Sequence, residues 1–235
     1  MTTADFLRRV TDPGPSAVQI DETDEITTRI LQVALQQFEM IGVRRTTLQD
    51  VARRSGVGRA TLYRRFPTRD ALVDAVVFSE VRRYLAGNVR ARAHGETPEE
   101  RMINSTVFTV TFLRDHALLN KLLQTEPETV LPGFTVDADD LIKFIVDQST
   151  AAWGIELFGD GALTPDQERH LRTAAELTTR LAISFILTPN SGIALDTDDQ
   201  IREYARNYIL PIYTTAPAYK RSRLSPLAPD RESLG

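Results

Sequence analysis

Arginines dominate one short stretch of the sequence, Arg44 to Arg69, which reads RRTTLQDVARRSGVGRATLYRRFPTR. The stretch holds eight arginines and one acid, Asp50, whereas the whole chain carries a formal net charge of −4. Each guanidinium group presents several N–H donors in a fixed fork, which suits phosphate oxygens and the acceptor edges of bases. A basic island in an acidic chain favours recognition of a polyanion. Charge alone is equally compatible with a solvated surface, so the local pattern has to decide.

Two short helices are predicted within the arginine-rich stretch. Apolar residues at helical spacing follow Thr46 and Thr47, either of which can cap a first helix, and Gly56 suits the left-handed position after its end. Gly58 precedes a second helix, Arg59 to Phe66, which a proline stops. Two short helices joined by a glycine-containing turn predict a helix-turn-helix, whose second helix normally enters the major groove of DNA.

The side chains of the second helix support this interpretation. Leu62 and Phe66 are four residues apart and are expected to face the core, which leaves cationic and hydroxyl side chains for DNA. The residues expected to read bases are Arg59, Ala60, Thr61 and Arg64. Backbone N–H groups at a helix N-terminus favour phosphate. We therefore expect phosphate contacts at Thr46, Thr47 and Arg69, which lie at the N-termini of two predicted helices.

The same residues resemble the TetR-like (tetracycline-repressor-like) family of transcriptional regulators. The resemblance begins with ILQVALQQFEMIGV, from Ile30 to Val43, and continues through TTLQDVA, SGVGRATLYRRFP and TRDAL. It covers about residues 26–77, and the rest of the chain is similar only in general architecture. Two positions depart from the pattern, because Gly58 stands where serine is common and Arg69 where lysine is usual. A glycine cap costs only a few tenths of a kcal/mol relative to serine, and arginine keeps the charge.

The residues and the resemblance together predict an all-α chain in four parts. These are a flexible leader (residues 1–22), a three-helix helix-turn-helix DNA-binding domain (23–68), a helical ligand-binding and dimerisation domain (69–213) and a flexible tail (214–235). The resemblance also implies a phosphate contact from the Tyr63 hydroxyl and a long fourth helix, beginning after Thr68, that belongs to both domains. The implied partners are a palindromic double-stranded DNA operator, a second copy of the chain and an unidentified small apolar effector that releases the DNA.

Beyond the arginine-rich stretch the sequence predicts helices and no convincing strand. Capping boxes mark helix starts at Thr97 and Thr164, and the last helix is expected to begin near Asp198. Residues 127–136 contain two prolines and a glycine and are predicted to form a loop. Asp137 is expected to cap the helix that follows this loop.

Two further sets of residues follow from the resemblance and from side-chain type. Large apolar residues with a few polar neighbours are typical of a ligand pocket, although each of them is equally explained as ordinary core. The pocket candidates are Phe108, Phe112, His116, Phe144 and Trp153. The last two long helices are expected to pair with those of a second copy, with packing inside one subunit as the alternative. The dimer-interface candidates are Leu171, Ala174, Ala175, Thr178, Leu181, Ala182, Phe185, Ile201, Tyr204, Ala205, Tyr208 and Ile209.

Composition argues against several other classes of function. The chain has no cysteine, and its three histidines are far apart, so no thiolate nucleophile, metal site or catalytic triad is indicated. We expect no catalytic residues, no metal and no cofactor. No apolar run reaches the ~18 residues of a membrane span, and the N-terminus lacks the apolar segment of a signal peptide. The sequence therefore predicts a cytoplasmic protein.

Two functional hypotheses remain. In the first, the chain is a sequence-specific, homodimeric, DNA-binding repressor released from its operator by a small apolar ligand. In the second, it is a DNA-binding protein whose C-terminal domain serves only dimerisation or protein interaction. A gel-shift experiment with and without metabolite mixtures distinguishes the two.

Overall fold

The computed structural model describes residues 24–215, so the predicted leader and nearly all of the predicted tail lie outside the described residues. The described chain is all-α, as predicted, and contains no strand. Its helices, in chain order, are α1 (Glu25–Ile41), α2 (Leu48–Ser55), α3 (Arg59–Arg65), α4 (Arg69–Ala93), α5 (Pro98–Arg114), α6 (Ala117–Thr125), α7 (Pro127–Phe134), α8 (Asp139–Phe158), α9 (Pro165–Leu187), α10 (Asp198–Tyr204) and α11 (Leu210–Thr214). Among these described helices, none combines the length and hydrophobicity that crossing a bilayer requires.

The first helices begin and end at local capping signals. The Asp24 side chain accepts the N–H of Ile26 at the start of α1, and the Thr47 side chain accepts the N–H of Asp50 at the start of α2. α2 ends at Gly56, whose φ of 66° is left-handed, a conformation that costs glycine no Cβ strain. Helices α2 and α3, joined by this turn, form the predicted helix-turn-helix.

α4 runs without interruption for 25 residues from a cap at Thr68. The predicted long fourth helix is therefore present. Thr68 accepts the N–H of Ala71, and Asp70 places a negative charge in the first turn, where it complements the helix dipole.

The described chain forms two compact units. One unit contains the residues up to His94 together with Phe108–Phe144, and the other contains Gly95–Val107 and the residues from Ile145 onward. This division differs from the predicted domain boundary at residues 68 and 69, because α4, α6 and α7 belong to the same unit as the helix-turn-helix. Leu118 and Leu122 of α6 explain the difference, since both are buried in the hydrophobic core of the DNA-binding helices.

The core of the first unit is built from aliphatic side chains around two phenylalanines. Phe38 of α1 and Phe66 after α3 are 1% and 0% exposed, and Leu62 of α3 is 0% exposed. Leu62 and Phe66 thus face the core, as their spacing predicted. Burial of the α3 stripe fixes which side of that helix is left for DNA.

The core of the second unit gathers residues from four stretches of chain. Met102, Trp153, Leu171 and Tyr204 are buried there. Trp153 lies against Tyr213, with ring centroids 6.1 Å apart.

Residues 127–134, which the prolines predicted to be part of a loop, form the short helix α7. Pro127 is its first residue, where the missing N–H leaves no helical bond unmade. Pro132 is the sixth residue, and the helix ends within two residues of it. Asp137 is not a helix cap, because α8 begins at Asp139 and the Asp137 N–H donates to the Pro132 carbonyl at 2.8 Å.

The last helical stretch contains a feature that periodicity did not predict. Between α10 and α11, residues Ala205–Ile209 form a π-helical turn, in which the N–H of Leu210 donates to the carbonyl of Ala205. Pro211 follows directly and has no N–H to continue an α-helical ladder. Proline and π-helical turns are both common causes of helix irregularity.

Candidate nucleic-acid interface

α3 presents its charged side chains to solvent and its apolar ones to the core. Arg59, Ala60 and Arg64 are exposed, and Thr61 is half-buried. Tyr63, implicated in phosphate binding by family resemblance, is 41% exposed. The four predicted base-reading residues and Tyr63 therefore lie on a helix whose opposite side is fixed in the core.

Arg65, next to Arg64 in the sequence, has a structural role. Its guanidinium forms an ion pair with Asp24 and donates to the Thr27 hydroxyl at 2.7 Å. Arg65 therefore fastens α3 to the start of α1. Neighbouring arginines of the same stretch thus have different surroundings, which charge counting alone does not distinguish.

Thr46 lies in a different position from the one predicted. Its side chain is 2% exposed, its hydroxyl donates to the Gly42 carbonyl at 2.9 Å, and its N–H donates to the Val43 carbonyl at 3.3 Å. Both of its donors are used inside the domain, so the predicted phosphate contact at Thr46 needs correction. Thr46 instead closes the turn between α1 and α2.

Thr47 is exposed and is the N-cap of α2. Its hydroxyl accepts the N–H of Asp50 at 3.1 Å and donates to the Asp50 carboxylate at 2.6 Å. Arg53 completes this surface cluster with a 2.7 Å ion pair to Asp50. Of the two threonines predicted to touch phosphate, only Thr47 has its side chain on the surface.

Arg69, at the start of α4, lies beside the turn that precedes α2. It is exposed, and its guanidinium donates to the Arg44 carbonyl at 3.2 Å. Arg44 itself contacts two acids that follow α6, Glu126 and Glu128. Sequence analysis missed these acids, because they are about 80 residues from Arg44 and no local pattern connects them.

Three of the five pocket candidates stack together in the first unit. Phe108, Phe112 and Tyr84 have ring centroids 5.4–5.8 Å apart, and the His116 ring lies 5.2 Å from Phe112. We call these four residues the aromatic cluster. Gly87 packs directly against it, since a Cβ added there would lie 2.3 Å from the Phe108 ring.

His116 is also the N-cap of α6 and links that helix to α4. Its Nδ1 accepts the N–H of Leu119 at 3.2 Å, and its Nε2 lies 3.2 Å from the buried Glu80 carboxylate. Because Nδ1 accepts, the ring proton is on Nε2 and is donated to Glu80. Burial raises the pKa of Glu80, but the hydrogen bonds from His116 and Arg83 and the charge of Arg83 leave that pKa below the usual glutamate value.

The other two pocket candidates have separate surroundings. Trp153 is 7% exposed in the core of the second unit, and Phe144 is half-buried at the end of the first unit's last segment. Of the five pocket candidates, Phe108, Phe112 and His116 therefore lie together, and Phe144 and Trp153 lie elsewhere.

The dimer-interface candidates divide by burial. Seven of them are already buried inside a single chain, at 8% exposure or less, and the prediction needs correction for these because a core side chain has no surface to offer a partner. The seven are Leu171, Ala174, Ala175, Ile201, Tyr204, Ala205 and Ile209. Thr178 contacts the Tyr213 hydroxyl at 3.1 Å, while Ala182 and Phe185 are half-buried. Leu181 and Tyr208 remain exposed, at 39% and 63%.

Comparison with known proteins identifies the N-terminal domain. Residues 30–76 match the family described as bacterial regulatory proteins, tetR family. An uncharacterized HTH-type transcriptional regulator of Mycobacterium tuberculosis is 26% identical over 208 residues, which cover 88% of this chain and 95% of that protein. The matched segment spans α1–α3 and the beginning of α4, the helices that present the arginines described above.

Solved structures share the fold. The TetR family repressor AlkX from Dietzia sp. strain DQ12-45-1b aligns with a TM-score of 0.57 at 21% identity, covering 82% of this chain and 97% of that one. The fatty acid degradation regulator FadR from Bacillus halodurans aligns with a TM-score of 0.53 at 14% identity, covering 79% and 97%. Both alignments extend well beyond the helix-turn-helix. Over residues 30–76, which include the arginine-bearing α3, the chain therefore carries a DNA-binding segment of the tetR family, and over most of its length it is similar to a transcriptional regulator.

Proposed function

We propose that the chain acts as a homodimeric repressor, which binds a palindromic operator and leaves it when a small apolar molecule binds among its helices. The observation that carries the DNA-binding half of the proposal is the surface of α3, where Arg59 and Arg64 are exposed on a helix anchored by Leu62. Such arginines suit bidentate contacts to guanine, and Thr61 suits a thymine methyl. The proposed phosphate contacts are Thr47, Tyr63 and Arg69.

Dimerisation is supported by an apolar surface on the second unit. Leu177 and Leu181 are 49% and 39% exposed and lie one turn apart on α9. Phe185 follows after a further turn and meets the Tyr204 ring edge to face. The Tyr204 ring centroid lies 5.7 Å from that of the exposed Tyr208. Apolar groups arranged in this way favour association, and a two-fold dimer presents two copies of α3 to paired half-sites.

The dimer proposal is tested by sedimentation equilibrium on three proteins. We expect a dimer for the unaltered chain and a shift to monomer for Leu181→Arg. Ile155→Arg is the matched control, since Ile155 is an exposed apolar residue of the same unit, 59% exposed, on α8. A monomeric unaltered chain, or dimers of equal strength in all three proteins, would contradict the proposed interface.

Ligand control is supported by the residue types of the aromatic cluster. Apolar walls with sparse polar groups are typical of ligand sites, and His116 is the polar group of this cluster. A ligand releases DNA only if it binds the non-DNA-binding arrangement more tightly, and a tenfold loss of operator affinity corresponds to about 1.4 kcal/mol of difference.

One experiment separates this proposal from its alternative. Operator fragments are first selected from a random duplex library with the purified chain, and metabolite mixtures are then added to the complex. Compounds that release the DNA and perturb Trp153 emission would support a ligand-controlled repressor. If no mixture changes DNA binding, the C-terminal helices serve only dimerisation or protein contacts. If a compound releases the DNA but leaves the emission unchanged and still binds Trp153→Ala, the site of that compound lies away from Trp153.

A further inference from the structure

Arg44 links the turn between α1 and α2 to the rest of the first unit. Its N–H donates to the Glu126 carboxylate at 3.4 Å, and its carbonyl accepts from Arg69 at 3.2 Å. Its guanidinium lies 2.5 Å from the Glu128 carboxylate and 3.9 Å from that of Glu126. Backbone and side chain of Arg44 are thus both held, and Glu126 contacts both.

Glu126 belongs to the interior of the domain. Its side chain is 9% exposed, and it packs so closely on Gly42 that a Cβ added there would lie 2.4 Å from Oε1. Gly42 also has a φ of 88°, which disfavours any residue with a side chain. Glu126 therefore fixes the backbone of the turn and is not replaced without disturbing the fold.

Glu128 differs from Glu126 because its ion pair lies in solvent. The Arg44 and Glu128 side chains are 62% and 53% exposed. An exposed ion pair contributes little to stability, so little free energy is lost when another anion takes the place of the carboxylate. Arg44 is also next to Arg69, one of the proposed phosphate-binding residues, and the carbonyl of Arg44 is where the Arg69 guanidinium is bound.

We propose that Arg44 is a further phosphate-binding residue and that Glu128 is an internal competitor for it. Without DNA, the Glu128 carboxylate occupies the Arg44 guanidinium; on DNA, a phosphate takes its place. The inference rests on the phosphate contacts proposed above. Its consequence is that Glu128 lowers the affinity for every DNA sequence alike, because breaking its ion pair is part of each binding event.

A double-mutant cycle on the full chain tests the exchange. Affinity for a mixed-sequence DNA duplex is measured at several salt concentrations, because phosphate contacts do not depend on sequence. Glu128→Gln is expected to tighten binding about two- to fivefold, the range that corresponds to an exposed ion pair. Arg44→Ala is expected to weaken binding and to lower the slope of log affinity against log salt by about 0.9. Adding Glu128→Gln to Arg44→Ala is expected to change nothing further.

Three outcomes would overturn the inference. Weaker binding by Glu128→Gln would show that the acid positions Arg44 for DNA rather than competing with it. An equal gain from Glu128→Gln in the Arg44→Ala background would show a general effect of removing negative charge. The matched control is Glu25→Gln, which removes one exposed carboxylate at the start of α1. If Glu25→Gln tightens DNA binding as much as Glu128→Gln does, the effect is again a general one of removing negative charge.

The same measurements separate this inference from the function on which it rests. Arg69→Ala is measured alongside the cycle. If its slope falls while that of Arg44→Ala does not, the proposed phosphate site stands and the role of Arg44 is refuted. If neither slope falls, this edge of the domain does not face DNA, and the proposed contact at Arg69 is refuted with it.

Discussion

Thr46→Val removes one buried hydrogen bond without removing volume. The Thr46 hydroxyl donates to the Gly42 carbonyl at 2.9 Å, in a site where the side chain is 2% exposed. Leaving a buried acceptor without its donor costs about 1–3 kcal/mol, and the extra buried methyl group offsets about 0.8 kcal/mol of that. We therefore expect the free energy of unfolding to fall by roughly 0.2–2.2 kcal/mol, which lowers the Tm of a chain of this size by up to about 9 °C.

Urea unfolding followed by circular dichroism measures the loss of stability, and fluorescence anisotropy with a mixed-sequence duplex measures DNA affinity. Thr46→Ser keeps the hydroxyl and loses a buried methyl group, so its free energy of unfolding is expected to fall by about 0.8 kcal/mol. Both variants are expected to bind the duplex as the unaltered chain does at a temperature well below their Tm, because the side chain does not reach solvent. A variant of unchanged stability but reduced affinity would refute this reasoning and restore Thr46 as a phosphate contact.

Further predictions concern the DNA surface and the first unit's interior. Arg69→Ala should weaken binding to all sequences and lower the salt slope by about one, as titrations at several salt concentrations would show. Arg59→Ala should relax preference at one position of each half-site by about 1–3 kcal/mol, and an unchanged profile in binding selections would make Arg59 a phosphate contact only. Glu80 has a lowered pKa in the folded state, so its contribution to stability is complete above the ordinary glutamate pKa and is lost as the pH falls through the folded value. The stability advantage of the unaltered chain over Glu80→Gln should therefore shrink in acid, and a constant difference in urea unfolding between pH 7 and pH 3 would contradict this. Gly87→Ala should lower stability by about 1–3 kcal/mol through overpacking against Phe108, and Phe108→Leu should make that substitution less harmful; equal losses in both backgrounds would exclude the contact.

Local signals were enough to predict the DNA-binding helices. Thr47, Gly56 and Thr68 each act within three or four residues of their own position, by capping an N-terminus or by adopting a left-handed backbone. The four-residue spacing of Leu62 and Phe66 likewise determined which side of α3 would be buried. Motifs of this length are complete in the sequence, so the helix-turn-helix and the family resemblance were readable from it.

The helix α7 and the packing partners of the last helices were not predicted correctly from the sequence. α7 forms although its two prolines predicted a loop, because one proline stands at the first helical position and the other close to the end. The apolar stripes on the last long helices predicted burial, but they did not show whether these side chains pack within one chain or against a second copy. Packing within one chain buries Leu171 and Ile201 completely, while Leu181 is left at the surface.

The amino-acid sequence by itself determined that the chain is helical, where its DNA-binding helices begin and end, and that a cationic face lies on α3. Only the tertiary structure decided what each polar residue does. Thr46 and Thr47 are adjacent, yet one is buried against Gly42 and the other is exposed; Arg65 fastens α3, whereas Arg44 meets Glu128. The physical reason is that a helix or a cap forms from neighbours in the chain, whereas burial and ion pairing depend on which distant segments pack together.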